Sequence, residues 1–226
     1  MAKPIIVFDL DGTLVDTAPD LLDSLNHTLD AGGAARTDGT GFRHFVGHGG
    51  RVMIERAYQA QRRDLPHDEH DRLFALFLEH YGANIPGLSK PYSGVIEALE
   101  RFRAADYLLA VCTNKTEAFS KRLLIALGMS GYFAAICGQD SFAFRKPDPR
   151  HLTETVRLAG GDTGKAVMVG DSRTDIDTAK AAGIPVVAVD FGYTDRHVRE
   201  FEPSRIISHY DELTVALAKG LIEASV

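Results

Sequence analysis

The stretch IIVFDLDGTLVD, residues 5–16, decides the fold. Ile5, Ile6, Val7 and Phe8 form a continuous apolar run, the pattern of a strand buried on both faces. The run leads straight into Asp9 and Asp11, spaced i and i+2. Residues two apart on an extended segment point to the same side, so both carboxylates are expected in one small volume at the strand's carboxyl end. Carboxylates held that close repel unless a cation or a proton sits between them. Gly12 relieves the backbone where the chain turns, and the amides of Gly12 and Thr13 are expected to face an anion. A solvated acidic turn is the plainer reading of the same residues. An apolar strand, DxDGT and a further carboxylate at Asp16 in one stretch favour a reactive site instead.

Downstream, residues 16–29 place Leu22, Leu25 and Leu29 on one helical face, with Asp16 or Thr17 as the cap and Gly32-Gly33 as the stop. From there to Leu88 the chain is rich in Arg, His, Glu and Gln. It shows helical spacing around Phe74, Phe77, Leu78 and Tyr81 and no convincing strand. This reads as an all-helical insert, with Pro86-Gly87 and PYSG at 91–94 as its exit linker. Beyond it, helix and strand alternate. Apolar runs at 108–112, 134–137, 166–169, 185–189 and 205–207 read as strands. Helices are expected around Val95, Ile96, Leu99 and Phe102, around Phe119, Leu123 and Leu127, after Asp148-Pro149, between Asp171 and Ala182, and over 211–223. Such alternation implies an α/β fold, a parallel sheet with helices on both faces.

At 226 residues and 45% hydrophobic composition, the chain is long enough for one α/β core with a smaller insert. Its net charge of −6 gives no support for a nucleic-acid or anionic-membrane partner. Cys112 and Cys137 lie in apolar, strand-like stretches and read as reduced core residues. Asp9 interrupts the first apolar run too early for a signal peptide, and no stretch is apolar enough to span a bilayer. The expected location is the cytoplasm.

In an open parallel sheet, ligands bind outside the carboxyl ends of the strands. The first strand presents Asp9 and Asp11 there, and the 108–112 strand presents Thr113 and Asn114. The 166–169 strand presents Gly170, Asp171 and Ser172, with Asp175 one helical turn on; Lys146 precedes a helix start in RKPDP. Singly, Thr113 reads as a strand-end cap, Lys146 as a solvated lysine and Gly170-Asp171 as a common turn. Together, a hydroxyl, an ammonium and several acids at one edge make a site for a phosphate and a cation.

DLDGTLVD, LLAVCTN, RKPDP and VMVGDSRTD, in this order, resemble the four signatures of the haloacid dehalogenase-like superfamily in its phosphotransferase form. The resemblance implies a Rossmann-like core at 1–15 and 91–226 with a small helical cap domain at 16–90. It makes Asp9 the nucleophile that forms an aspartyl-phosphate and Asp11 the general acid/base. It implies Mg²⁺ held by Asp9, the backbone carbonyl of Asp11, and Asp171, with Asp175 acting through water or by holding Lys146. Lys146 and Thr113 would hold phosphoryl oxygens and orient Asp9, with Asn114 as a further donor. Within the insert, FVGHGGR at 45–51 is a glycine-rich turn entering a helix that could bring Arg51 onto a small anionic substrate; a plain connection between helices fits it equally well, and His48 reads as a solvated loop residue. This insert and the PYSGV linker are most similar to phosphoglycolate phosphatases, which implies hydrolysis of 2-phosphoglycolate. Other small-molecule phosphatases acting on sugar phosphates or pyrophosphate, a β-phosphoglucomutase-like isomerase, and a non-catalytic phosphate sensor remain as alternatives.

Overall fold

A computed structural model describes residues 3–38, 46, 49–194 and 196–225. At its centre is β1 (Lys3–Phe8), flanked by β4 (Leu108–Cys112) and β6 (Gly161–Gly170) in a six-stranded sheet of order β5-β4-β1-β6-β7-β8. The outer strands are β5 (Ala135–Cys137), β7 (Val186–Val189) and β8 (Arg205–Ile207), and every pairing in this sheet is parallel.

Alternation sorts each central strand between two cores. Ile6 and Phe8 of β1, Leu109 and Val111 of β4, and Val167 and Val169 of β6 enter one cluster, together with Leu99 and Phe102 of α4 (Val95–Ala104), Leu123 and Leu124 of α5 (Glu117–Ala126), and Ala218 of α8 (Val215–Ala224). Ile5, Val7, Ala110, Cys112 and Met168 enter the other, against Leu152 and Val156 of α6 (Pro149–Leu158) and Ile176 and Ala179 of α7 (Arg173–Ala181). The strands therefore read as unbroken apolar runs because both of their faces are covered. Cys112 and Cys137 are free thiols buried on adjacent strands, and burial pushes the Cys112 thiol up to about 12.

Between the first strand and α4 come α1 (Ala18–Ala31), α2 (Gly50–Ala60) and α3 (His67–Asn84). They build a third cluster of their own, with Leu25 and Leu29 of α1, Met53 and Ile54 of α2, and Leu73, Phe77 and Tyr81 of α3. Two short strands, β2 (Val15–Asp16) and β3 (Lys90–Pro91), pair antiparallel where the chain enters and leaves this insert. The sequence reads β3 as linker, because two residues carry no period-2 pattern. The expected cap of α1 also differs. Thr17 occupies the N-cap position but makes no capping hydrogen bond, since its hydroxyl donates to Asp11 Oδ1 at 2.7 Å. No helix among the described residues is long and apolar enough to cross a membrane.

Phe102 is fully buried in the first cluster. Phe102→Ala is expected to cost about 3–5 kcal/mol of folding stability, read from urea unfolding midpoints; a loss below about 1 kcal/mol would show that the α4–sheet interface is not close-packed.

Candidate active site

The carboxyl ends of β1, β4 and β6 meet at one edge, and the loop after β5 reaches the same place. Asp9 follows β1 directly and is pinned there by its own amide, which donates to Val169 O of β6 at 2.9 Å. Lys146 lies at the base of the loop before α6 and is 3% exposed. Its Nζ donates to Asp175 Oδ1 at 2.6 Å and lies 2.9 Å from Asp9 Oδ1. Asp175 is held on its other oxygen by the amide and hydroxyl of Ser172, at 3.1 and 2.6 Å. Ser172 and Asp175 form a capping box at the start of α7. One carboxylate oxygen each from Asp9, Asp171 and Asp175 lie within 4.8 Å of one another, all buried.

Asp171 is built in from several sides. Thr13 Oγ1 donates to its Oδ1 at 3.1 Å, and the Tyr193 amide to its Oδ2 at 2.7 Å. Gly12, at φ +82°, leaves the space it fills: a Cβ there would sit 2.4 Å from Asp171 Oδ2. The Tyr193 hydroxyl donates to Asp16 Oδ1 at 2.6 Å and accepts from the Ala18 amide at 2.9 Å. One tyrosine thus joins Asp171 to the entry of the helical insert.

Two expected anion donors are spent inside the turn. The Gly12 amide donates to Val15 O at 3.0 Å and the Thr13 amide to Leu10 O at 3.3 Å, because the chain closes a tight turn before β2. Gly12 and Thr13 therefore shape Asp171 and present no free N–H to a phosphate. Thr113 is buried at the end of β4, its hydroxyl accepting from the Lys115 amide at 3.2 Å and keeping its own proton to donate. Asn114 Nδ2 donates to the Lys146 carbonyl at 3.0 Å, so this side chain braces the lysine loop.

Asp11 turns away from the other three carboxylates. Its side chain takes Thr17 Oγ1 and also Lys115 Nζ, which reaches Oδ1 at 3.0 Å and Oδ2 at 3.1 Å. Lys115 was not legible as a site residue. It follows Thr113-Asn114 without any period of its own, and its only signal is its place three residues past the end of β4. Burial pushes its ammonium down, yet Asp11 and Tyr81 beside it hold it above the ordinary lysine range.

In the glycine-rich turn, Phe45, Gly47 and His48 lie outside the described residues. Val46 is buried in the insert's cluster, and Gly50 opens α2 against Phe77, whose Cε1 would meet a Cβ at 2.6 Å. Arg51 is half-exposed, donates to Asp71 at 2.6 Å and stacks over Phe74 at 4.3 Å. None of these contacts reaches the carboxylates at the sheet edge.

The electrostatics of the edge follow from this geometry. Burial pushes Asp9 up to about 6, with Lys146 pulling it down and Asp175 adding repulsion. Burial also raises Asp171 well above the carboxylate range, with Asp175 and Asp9 adding to it. Burial pushes the Lys146 ammonium down, but Asp175 and Asp9 beside it hold it above the ordinary lysine range. Asp9 Oδ1 makes no hydrogen bond of good geometry although it is buried. An all-oxygen donor set with more carboxylates than ammonium groups fits a hard divalent cation.

Residues 6–189 match the haloacid dehalogenase-like hydrolase family, and the chain belongs to it. A phosphoglycolate phosphatase of Mesorhizobium japonicum is 72% identical over 225 residues, covering 100% of this chain and 99% of that protein. One of Agrobacterium fabrum is 49% identical, covering 97% and 94%. A crystal structure described as a predicted phosphoglycolate phosphatase from Haemophilus somnus superposes with a TM-score of 0.87 at 30% identity, covering 93% of this chain and 96% of that one.

Asp9 carries a pH signature in chelator. Its folded pKa, about 6, lies above the unfolded value near 3.8, so it favours the fold while protonated and that contribution is lost as pH rises through 6. Relative to Asp9→Asn, the metal-free wild type is expected to lose stability between about pH 4 and pH 7, measured by denaturant unfolding at each pH. A pH-independent difference between the two proteins would contradict it.

Proposed function

We propose that the protein is a Mg²⁺-dependent phosphoric monoester hydrolase acting on 2-phosphoglycolate. The observation that carries this is the separation of the two leading aspartates. Asp9 stands among Lys146, Asp171 and Asp175, while Asp11 is held apart by Thr17 and Lys115. One carboxylate is thus arranged to attack and the other to move a proton. The substrate follows from the phosphoglycolate phosphatases at 72% and 49% identity over nearly the whole chain. The division into a core at 1–15 and 91–226 and a cap at 16–90 belongs to the same proposal.

Phosphoryl transfer needs an in-line nucleophile, charge neutralisation and a proton for the leaving oxygen. One oxygen of Asp9 attacks phosphorus as the bond to the leaving oxygen breaks, giving an aspartyl-phosphate and an alkoxide that takes the proton of Asp11. Lys146 fixes the Asp9 carboxylate in position and, with the Thr113 hydroxyl, faces the phosphoryl oxygens. Asp11 then takes a proton from water as that water attacks the phosphorus of the aspartyl-phosphate. Phosphate leaves and Asp9 is restored. Asp9, the Asp11 carbonyl and Asp171 would hold Mg²⁺, with Asp175 behind them on Lys146. When bound, the ion supplies positive charge between the nucleophile and an anionic phosphate. The reading does not depend on Arg51, which is engaged within the insert.

Asp9→Asn is expected to abolish phosphate release from 2-phosphoglycolate with the fold retained, and chelation to do so reversibly on Mg²⁺ return. Across a panel of small phosphate esters compared by kcat/KM, 2-phosphoglycolate should stand first. Full activity in Asp9→Asn would remove the nucleophile, and a flat panel would remove the substrate.

A further inference from the structure

We infer that Lys115, with the Tyr81 hydroxyl, recognises the carboxylate of the substrate and thereby selects an acid-bearing leaving group; this role presupposes the 2-phosphoglycolate reading above. Lys115 lies on the turn between β4 and α5, and its side chain is 7% exposed. Its Nζ straddles both oxygens of Asp11 and sits 4.5 Å from the centroid of the Tyr81 ring on α3. Tyr81 is buried, and its hydroxyl makes no hydrogen bond of good geometry. A buried ammonium and the buried hydroxyl that interacts with it therefore adjoin the group that protonates the leaving oxygen.

The seam that brings them together is specific. Arg122 of α5 donates to Gly82 O of α3 at 2.7 Å, and Phe119 packs edge-on against Tyr81 at 5.6 Å. Gly82 permits that approach, since a Cβ there would lie 2.9 Å from Phe119 Cε1. Lys115 is thus supplied by the sheet edge and covered by the insert.

In 2-phosphoglycolate a single methylene separates the leaving oxygen from the carboxylate. With phosphorus at Asp9 and the leaving oxygen at Asp11, that carboxylate falls next to whatever touches Asp11, and among the described residues the cation in contact with Asp11 is Lys115. Lys146 contacts Asp9 and Asp175 rather than Asp11, and Arg51 contacts Asp71 and Phe74. A carboxylate entering so desolvated a place needs a counter-charge, whereas an alkyl group there gains nothing from one.

The test compares kcat/KM for 2-phosphoglycolate and for ethyl phosphate, which replaces the carboxylate by a methyl group, in wild type, Lys115→Gln and Tyr81→Phe with Mg²⁺. Lys115→Gln is expected to lower the ratio of the two by on the order of 100-fold, the penalty for unpairing a buried charge. Tyr81→Phe should lower it by roughly tenfold. Glycolate should inhibit the wild type competitively and lose that effect in Lys115→Gln. Equal losses on both substrates would overturn the assignment and leave Lys115 as a positioning residue for Asp11. If Lys115→Gln does not fold, Tyr81→Phe decides, and an unchanged ratio overturns it. A wild type without preference between the two esters would sink the substrate reading and this role with it. A selective wild type whose ratio survives Lys115→Gln would sink this role alone.

Discussion

The structure turns on the mutual repulsion of carboxylates at a buried sheet edge. Asp9, Asp171 and Asp175 bring ligand oxygens within 4.8 Å of one another, with the Lys146 ammonium among them. Two unit charges 4 Å apart repel by about 4 kcal/mol at the effective dielectric of a protein site. That exceeds the roughly 1 kcal/mol net gain of a typical hydrogen bond, so hydrogen bonding alone does not hold the cluster ionised. Three carboxylates and one ammonium leave two negative charges unmatched, the complement of one divalent cation. Asp11 stands apart from this cluster, held by Thr17 and Lys115.

Much of the scaffold exists to hold that charge in place. Parallel pairing of β1 with both β4 and β6 aligns the three strand ends. Gly12 and Gly192 leave the volume Asp171 occupies, and Gly170 does the same for Asp175. The capping box at α7 serves two purposes at once, since Asp175 closes the helix with one oxygen and holds Lys146 with the other. Tyr193 extends the same rigidity to the insert, because its amide holds Asp171 and its hydroxyl holds the chain at Asp16 and Ala18. Lys115 and Arg122 tie the insert back to the sheet edge at α3.

The parallel core was legible because strands covered on both faces leave unbroken apolar runs, and Asp9, Thr113, Lys146 and Asp171 sit at the ends of such runs or at a helix start. Less legible were features whose cause is three-dimensional. The β2–β3 ribbon is too short to show a pattern. Thr17 has the sequence of a helix cap, but the nearer carboxylate of Asp11 takes its hydroxyl. The Gly12 and Thr13 amides look free in a turn motif, yet the turn closes on them. Tyr193 and Lys115 carry no local signal, since their partners lie 177 and 104 residues away in the chain. The Ser172–Asp175 box was visible as an S-x-x-D spacing and is the one such feature that residue order alone could have supplied.

If the edge is electrostatically frustrated without its ion, then uptake of the ion must displace the protons that otherwise relieve it. Titration calorimetry of Mg²⁺ into the metal-free protein, in two buffers of different ionisation enthalpy, counts those protons. Expulsion of on the order of one proton per ion at pH 6, declining toward zero as the pH is raised, is the predicted result. Binding that is proton-neutral at pH 6 would contradict the account at its root.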